Sequence, residues 1–274
     1  MANLMAIFGF ENEQFMITEI AIIALVACLA SMLTFFSGFG LGTILTPVFI
    51  IFFPVELAVA LSGIVHLLNN MFKITLTFKN ITYTTGLKFG LPAIAGSFIG
   101  AQLLFFMVDI PVIHSYTLHH RVFEITPVKL VMALLMLFFA LFEIIPALKK
   151  LQFDKNKLYI GGLVSGFFGG LTGNQGALRS AFLLRTGLSK EGFIATGIFI
   201  ACLVDCTRIP IYLRNLNRSP VEDNLVVLSI AVLAAFLGAF VGSKLLKKIQ
   251  LGFIHWMVAI MIFILSLALG AGLL

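Results

Sequence analysis

The chain has 274 residues, 60% of them hydrophobic and 11% charged, with a formal net charge of +6. A soluble domain would carry about 25% charged residues, so a soluble protein is excluded. The apolar runs of roughly 20 residues that recur from end to end predict an all-α polytopic membrane protein with nothing left over to fold outside the bilayer.

In chain order, residues 1 to 16 read as a short polar lead-in, and no Lys or Arg precedes Lys73. The first apolar run, Ile17 to Phe36, therefore lacks the basic start of a signal peptide and is expected to remain as a membrane helix. It ends in the glycine-rich stretch Ser37 to Thr43. Ile44 to Phe53 follows, about 15 Å long as a helix and too short to span alone. Pro54 closes it, and Val55 to Phe78 predicts a long helix bearing His66, Asn69, Asn70 and Lys73. Leu87 to Val108 spans again, with Gly96 and Gly100 in the small-xxx-small spacing of close helix contacts. Asp109 to Thr126 reads as a wet polar loop, because the spacing of His114, His119 and His120 matches no metal motif. Pro127 opens a helix to about Leu148, and Lys149 to Lys157 forms a basic junction.

The second half repeats this order. Leu158 to Leu171 is short and glycine-laden, the break Gly173 to Gly176 follows, and a short piece runs to about Leu184. Lys190 to Leu213 is a long helix with Asp205, Arg208 and Tyr212, and Leu225 to Leu246 and Leu251 to Ala271 complete the chain.

One offset of 135 positions relates the halves, setting Gly38 on Gly173, Pro54 on Ser189, Glu56 on Glu191, Ala60 on Ala195, Asn70 on Asp205 and Lys73 on Arg208. After an insertion of seven residues, GSFIGA (Gly96 to Ala101) matches GAFVGS (Gly238 to Ser243). The chain thus reads as two transmembrane repeats, 1–150 and 151–274, in a single membrane domain. Each repeat has a glycine-broken or re-entrant helix pair plus three spanning helices. Lys79 and Lys88, the Lys149 to Lys157 cluster, and Lys244, Lys247 and Lys248 are the cytoplasmic candidates under the positive-inside rule. Placing all three inside makes the repeats inverted, with both termini outside and Arg214 and Arg218 outside beside Glu222 and Asp223.

A glycine break at membrane depth bares backbone N–H and C=O groups, which in hydrocarbon cost several kcal/mol unless protein or a wet cavity surrounds them. Two such breaks are expected to meet, with helix N-termini near Thr43 and Ala177 aimed at an anion. The candidate substrate-binding residues are Ser37, Gly38, Gly40, Gly42 and Thr43 at the first break, and Gly173, Asn174, Gln175, Gly176 and Arg179 at the second. Asn70 and Lys73 share a face with His66, and Asp205, Arg208 and Tyr212 share the equivalent face, so the two faces are expected to wall one cavity. Glycines that merely permit close packing, and snorkelling of Lys73 and Arg208 toward helix ends, are the competing readings. Arg179 has no nearby end to snorkel to, and its guanidinium fork suits an oxyanion. Glu56 and Glu191 sit where carboxylates complement a helix dipole. Cys28, Cys202 and Cys206 are odd in number and lie in apolar segments, which supports packing and not a disulfide framework. The dispersed basic residues form no stripe for nucleic acid.

At SGFGLGTILTPVFI with AVALSG, and at GLTGNQGALRSAFLL with IATG, the sequence resembles the TauE/SafE family of sulfite and organosulfonate exporters, also called the toluenesulfonate uptake permease family. The resemblance covers nearly the whole chain. It departs from the family's pattern at Asn174, Gln175 and Arg179, where glycine or apolar residues are usual, and at Phe182, where the first copy has Pro47. The resemblance implies a multi-pass carrier of small sulfur-containing anions in the bacterial inner membrane, without a prosthetic group. Its partners would be the anion and membrane lipid, with a homodimer left open. A membrane-embedded enzyme or a structural membrane factor is the alternative; an enzyme should gather a nucleophile and base or metal ligands at the break, where the sequence supplies an arginine and amides.

Overall fold

The computed structural model describes residues 12–37, 41–118, 121–145, 152–216, 219–245 and 252–274. The first half runs Asn12–Ser37 (α1), Leu41–Phe52 (α2), Val55–Thr77 (α3), Tyr83–Val108 (α4), His114–Leu118 (β1), Arg121–Ile125 (β2) and Pro127–Ile144 (α5). The second runs Leu158–Thr172 (α6), Gly176–Leu183 (α7), Lys190–Asn215 (α8), Ser219–Glu222 (α9), Leu225–Leu245 (α10) and Gly252–Gly270 (α11). Among the described residues, five helices are long and apolar enough to cross a membrane, those built on α1, α3, α4, α8 and α10. The chain is a membrane protein.

Local chemistry sets the boundaries. Pro54, with φ −52° and ψ 149°, holds extended backbone ahead of α3, and Glu56 lies in that helix's first turn. At the matching place Ser189 accepts a hydrogen bond from the Gly192 N–H at 3.0 Å, and Glu191 lies in the first turn of α8. Both glutamates thus stand at the positive end of a helix dipole. Thr126 caps α5 by accepting from the Lys129 N–H at 3.3 Å. The ends of α1 and α6 are 135 positions apart, as are the starts of α2 and α7 and of α3 and α8. The starts of α4 and α10 are 142 apart, which carries the seven-residue insertion.

Packing between the halves is exchanged: α4 lies on α6, and α10 lies on α1. A Cβ built on Gly96 or Gly100 would strike the carbonyl oxygens of Leu163 and Phe167, and one on Gly238 or Gly242 those of Cys28 and Met32. Leu163 and Phe167 are the 135-offset equivalents of Cys28 and Met32, so one contact is made twice. Only a residue without a Cβ lets two helix backbones approach this closely. The numbering rises together along each pair, so α4 and α6 run parallel, as do α1 and α10. Helix α8 also runs parallel to α4, with Gly86 against Phe199 and Gly90 against Leu203. In contrast α3 and α8 are antiparallel, since Gly63 meets Arg208 while His66 meets Asp205.

These directions decide which loops share an end of the bundle. The hairpin follows α4, so the start of α4, with Lys79 and Lys88, lies at the opposite end. Lys155 and Lys157 open α6, which runs parallel to α4, and join them there. Helix α11 ends against the hairpin, where the Tyr116 hydroxyl donates to the Ala271 carbonyl at 2.6 Å. It therefore begins at the lysine end, which is where α10 and Lys244 finish. Lys149, Lys150, Lys247, Lys248 and Arg218 lie outside the described residues.

Three expectations need correction. The fold is not all-α: residues 109–126 contain an antiparallel hairpin, β1 with β2, pairing Tyr116 with Phe123. Tyr116, Val122, Phe123 and Ile125 are good strand formers, and the anchor at Ala271 gives the hairpin a surface to lie on. His119 and His120 fall outside the described residues, and His114 stacks near Tyr116 with centroids 6.4 Å apart. Helix α1 starts at Asn12, inside the stretch read as a polar lead-in. Ser37 is the last residue of α1 and not the start of a break.

Candidate functional site

The second break is formed by backbone geometry that glycine permits. Gly173 ends α6 with φ +82°, donating its N–H to the Gly169 carbonyl at 3.0 Å. A side chain would be strained there. The Asn174 N–H is taken by the Thr172 hydroxyl at 3.1 Å, and the Ser165 hydroxyl donates to the Gln175 carbonyl at 3.0 Å. Helix α7 then starts at Gly176, leaving its first-turn N–H groups pointing back toward the break.

The start of α2, which follows the first glycine stretch, meets the second break. A Cβ on Gly42, in the first turn of α2, would lie 2.9 Å from the Gly173 carbonyl oxygen, and one on Gly173 would lie 3.1 Å from Thr46 Oγ1. Thr43 is buried alongside. Gly38 and Gly40 lie outside the described residues, and nothing is described of the Ser37 side chain.

Asp205 organises the floor of this region. It is fully buried, accepts from Arg208 Nε at 2.9 Å on one oxygen, and lies 2.6 Å from His66 Nδ1 on the other. The His66 bond crosses from α8 to α3 and so ties the two halves together. Asn70 Nδ2 sits 3.3 Å from the same imidazole. Arg208 extends between the halves, with Nη1 donating to the Gly169 carbonyl at 3.2 Å and Nη2 lying 3.2 Å from the Cβ position of Gly63. The Tyr212 ring lies 5.7 Å from the guanidinium carbon, and its hydroxyl donates to the Gly170 carbonyl. Arg179, one turn into α7, lies beside Gly197 of α8, its Nε 3.5 Å from that glycine's Cβ position.

Buried polar groups are nearly always paired. Among the described residues, Glu19 Oε1 on α1 is buried without a hydrogen-bond partner, and so are Asn174 Oδ1, both amide atoms of Gln175, Arg179 Nη1 and Arg208 Nη2. The last five atoms belong to four residues of one region. Gln175 packs on Gly169, its Cβ 3.1 Å from that glycine's Cβ position, and the Gly169 carbonyl holds Arg208. Two guanidinium edges, an amide and a helix N-terminus around two backbone breaks can chemically do one thing well, which is to hold a small oxyanion out of water.

The equipment is one-sided. At the 135-offset positions of Asn174, Gln175 and Arg179 the first half has Phe39, Gly40 and Ile44. Nor do the two polar faces mirror one another. Lys73, equivalent to Arg208, is buried and does not snorkel. With the Asn69 amide turned to satisfy its neighbours, Lys73 Nζ donates to Asn69 at 3.2 Å, and Asn69 donates to the Ala235 carbonyl at 3.1 Å. This draws Lys73 toward α1 and α10, because Asn70 offers no carboxylate to hold it as Asp205 holds Arg208. The candidate set also omits His66, although its place at i, i+4, i+7 with Asn70 and Lys73 was visible. Gly63, Gly169 and Gly197 were missed too, and their only signal is the glycine itself. Cys202 is buried while Cys206 is exposed, so the two thiols do not share an environment.

A family model described as sulfite exporter TauE/SafE matches residues 23–269. Comparisons with curated proteins and with solved structures found no match. The family match begins within α1 and ends in the last turn of α11, taking in both breaks and the buried Asp205 and Arg208, and on that extent the chain belongs to the sulfite exporter TauE/SafE family of membrane transporters.

Proposed function

We propose that the protein is a secondary transporter that moves a small sulfur-containing oxyanion across the bacterial inner membrane by alternating access. The anion binds where the two breaks meet, held by Arg179, Arg208, Asn174, Gln175 and the N-terminus of α7. The observation that carries this reading is the set of buried, partnerless polar atoms on those four side chains. An uncompensated buried charge is costly, and an anion between the two guanidinium edges would offset it. The same arrangement argues for a bound charged species over a packing role, because glycines that only permit close contact need no unpaired guanidinium edge beside them.

Two inverted repeats are part of the reading. The antiparallel course of α3 and α8, the exchanged packing of α4 on α6 and α10 on α1, and the gathering of Lys79, Lys88, Lys155, Lys157 and Lys244 at one end support it. With the lysine end cytoplasmic, the hairpin and Arg214 face outward. Asp205 and His66 form the one described bond between an acid and an imidazole across the halves. A proton held there would link the state of the anion site to the α3–α8 contact, which is how coupling to a pH gradient would enter.

The test is flux of labelled sulfite into proteoliposomes, with and without a pH gradient. Arg179→Gln is expected to abolish flux in a protein that still folds, and Arg179→Lys to restore it only in part, since an ammonium lacks the planar fork. If Arg179→Gln carries sulfite at the wild-type rate with an unchanged half-saturation concentration, the anion-site assignment is wrong.

A further inference from the structure

Gln175 is only 1% exposed, and both the oxygen and the nitrogen of its amide lack a hydrogen-bond partner among the described residues. The two atoms exchange places when the amide is turned over, so in either orientation one donor and one acceptor are left unpaired. Two donors of the same region, Arg179 Nη1 and Arg208 Nη2, are buried and unpaired too. A simple oxyanion presents acceptors alone. It would pair with both guanidinium edges and with the amide N–H, and would leave the amide oxygen of Gln175 buried, unpaired and facing negative charge.

We propose that the anion bound here carries its own donor hydrogen, and that Gln175 is the residue that reads it. This rests on the anion-site reading given above and narrows it. The ligand is a sulfur oxyanion bearing an acid proton, a hydroxyl or an amine, with its oxygens toward Arg179 and Arg208 and its hydrogen toward the Gln175 oxygen. Sites whose buried polar groups expect a substrate hydrogen reject the analogue that lacks it far more strongly than apolar pockets reject a missing methylene. Asn174 Oδ1, also buried and unpaired, stands next in the chain as a second acceptor for the same hydrogen. The first half, with Phe39 and Gly40 at these positions, has no counterpart, so the reading is made by one repeat only.

Two sources share this chemistry: inorganic hydrogen sulfite, and an organic sulfonate with a hydroxyl or amino group. Binding to the full-length protein in detergent, measured by titration calorimetry, tells them apart. The organic arm compares 2-hydroxyethanesulfonate with ethanesulfonate, which differ by one hydroxyl. The inorganic arm titrates sulfite one pH unit below and one above the pKa of hydrogen sulfite, with ethanesulfonate at both pH values correcting for titration of the protein. The expected result is a preference of at least tenfold for the donor-bearing member of one arm, and the arm that shows it names the source. Gln175→Met, which also loses the amide N–H and so weakens binding of both anions, is expected to reduce the ratio between them to less than threefold. The wild-type series stands even if this variant fails to fold. Equal binding of donor and non-donor anions in both arms, with Arg179→Gln abolishing it, would overturn the role of Gln175 and leave the anion site standing. Absence of all anion binding, or binding indifferent to Arg179→Gln, would overturn both.

Discussion

Replacing Asp205 with asparagine should destabilise the protein by an amount the geometry bounds. The carboxylate is fully buried and neutralises Arg208 through the 2.9 Å bond to Nε. Removing one partner of a buried ion pair costs about 3–5 kcal/mol, because the other charge stays behind uncompensated. Arg208 would keep its bond to the Gly169 carbonyl at 3.2 Å and the Tyr212 ring at 5.7 Å. The amide oxygen introduced by the substitution could still accept from Nε. The loss therefore belongs at the lower end, about 3 kcal/mol, which is more than a hundredfold in the unfolding constant. Removing both charges together, Asp205→Leu with Arg208→Met, leaves His66 Nδ1 without its acceptor but no uncompensated guanidinium, and should cost less than the two single losses added together. The assay is equilibrium unfolding of detergent-solubilised protein by SDS titration, followed by circular dichroism. A wild-type midpoint for Asp205→Asn would refute the argument, as would a double variant as unstable as the two single losses added together.

Three further expectations can be checked separately. Gly100→Ala and Gly242→Ala, which place a methyl on the repeated backbone contact, should each cost about 1–3 kcal/mol in the same unfolding assay, whereas Gly187→Ala should show no steric penalty, since a Cβ there meets nothing within 4 Å and only its φ of +77° opposes it. Single cysteines at Asn80 and Asn156 should react with an impermeant reagent from one side of sealed vesicles and a cysteine at Ser115 from the other; labelling of Asn80 and Ser115 from the same side would contradict the helix directions. Tyr116→Phe should free the Ala271 carbonyl and loosen the hairpin, with a stability change of about 1 kcal/mol and faster proteolysis of the hairpin; unchanged proteolysis would show that the hydroxyl anchors nothing.

The sequence alone determined where most of the helices lie. Apolar length, Pro54, Ser189 and the two glycine stretches are local signals, and the 135-residue offset placed the ends of α1 and α6 and the starts of α3 and α8 in register. The candidate site was legible in part, since Asn174, Gln175 and Arg179 are costly in an apolar segment wherever they point. The hairpin was readable in principle from its strand formers, but three histidines drew attention to polarity instead. What only the tertiary structure decided is which helix meets which. A helix apolar on every side carries no marked face, because lipid and protein interior are equally apolar, so periodicity cannot choose its neighbour. Glycine spacing says that a backbone comes close at Gly96 and Gly100 without saying that it is Leu163 and Phe167. His66 and Asp205 stand 139 residues apart, and their bond exists only because α3 and α8 cross with those positions facing. The divergence of Lys73 from Arg208 has the same origin. Sequence symmetry made them equivalent, and the choice between a carboxylate at Asp205 and an amide at Asn70 sent one cation into the site and the other to Asn69.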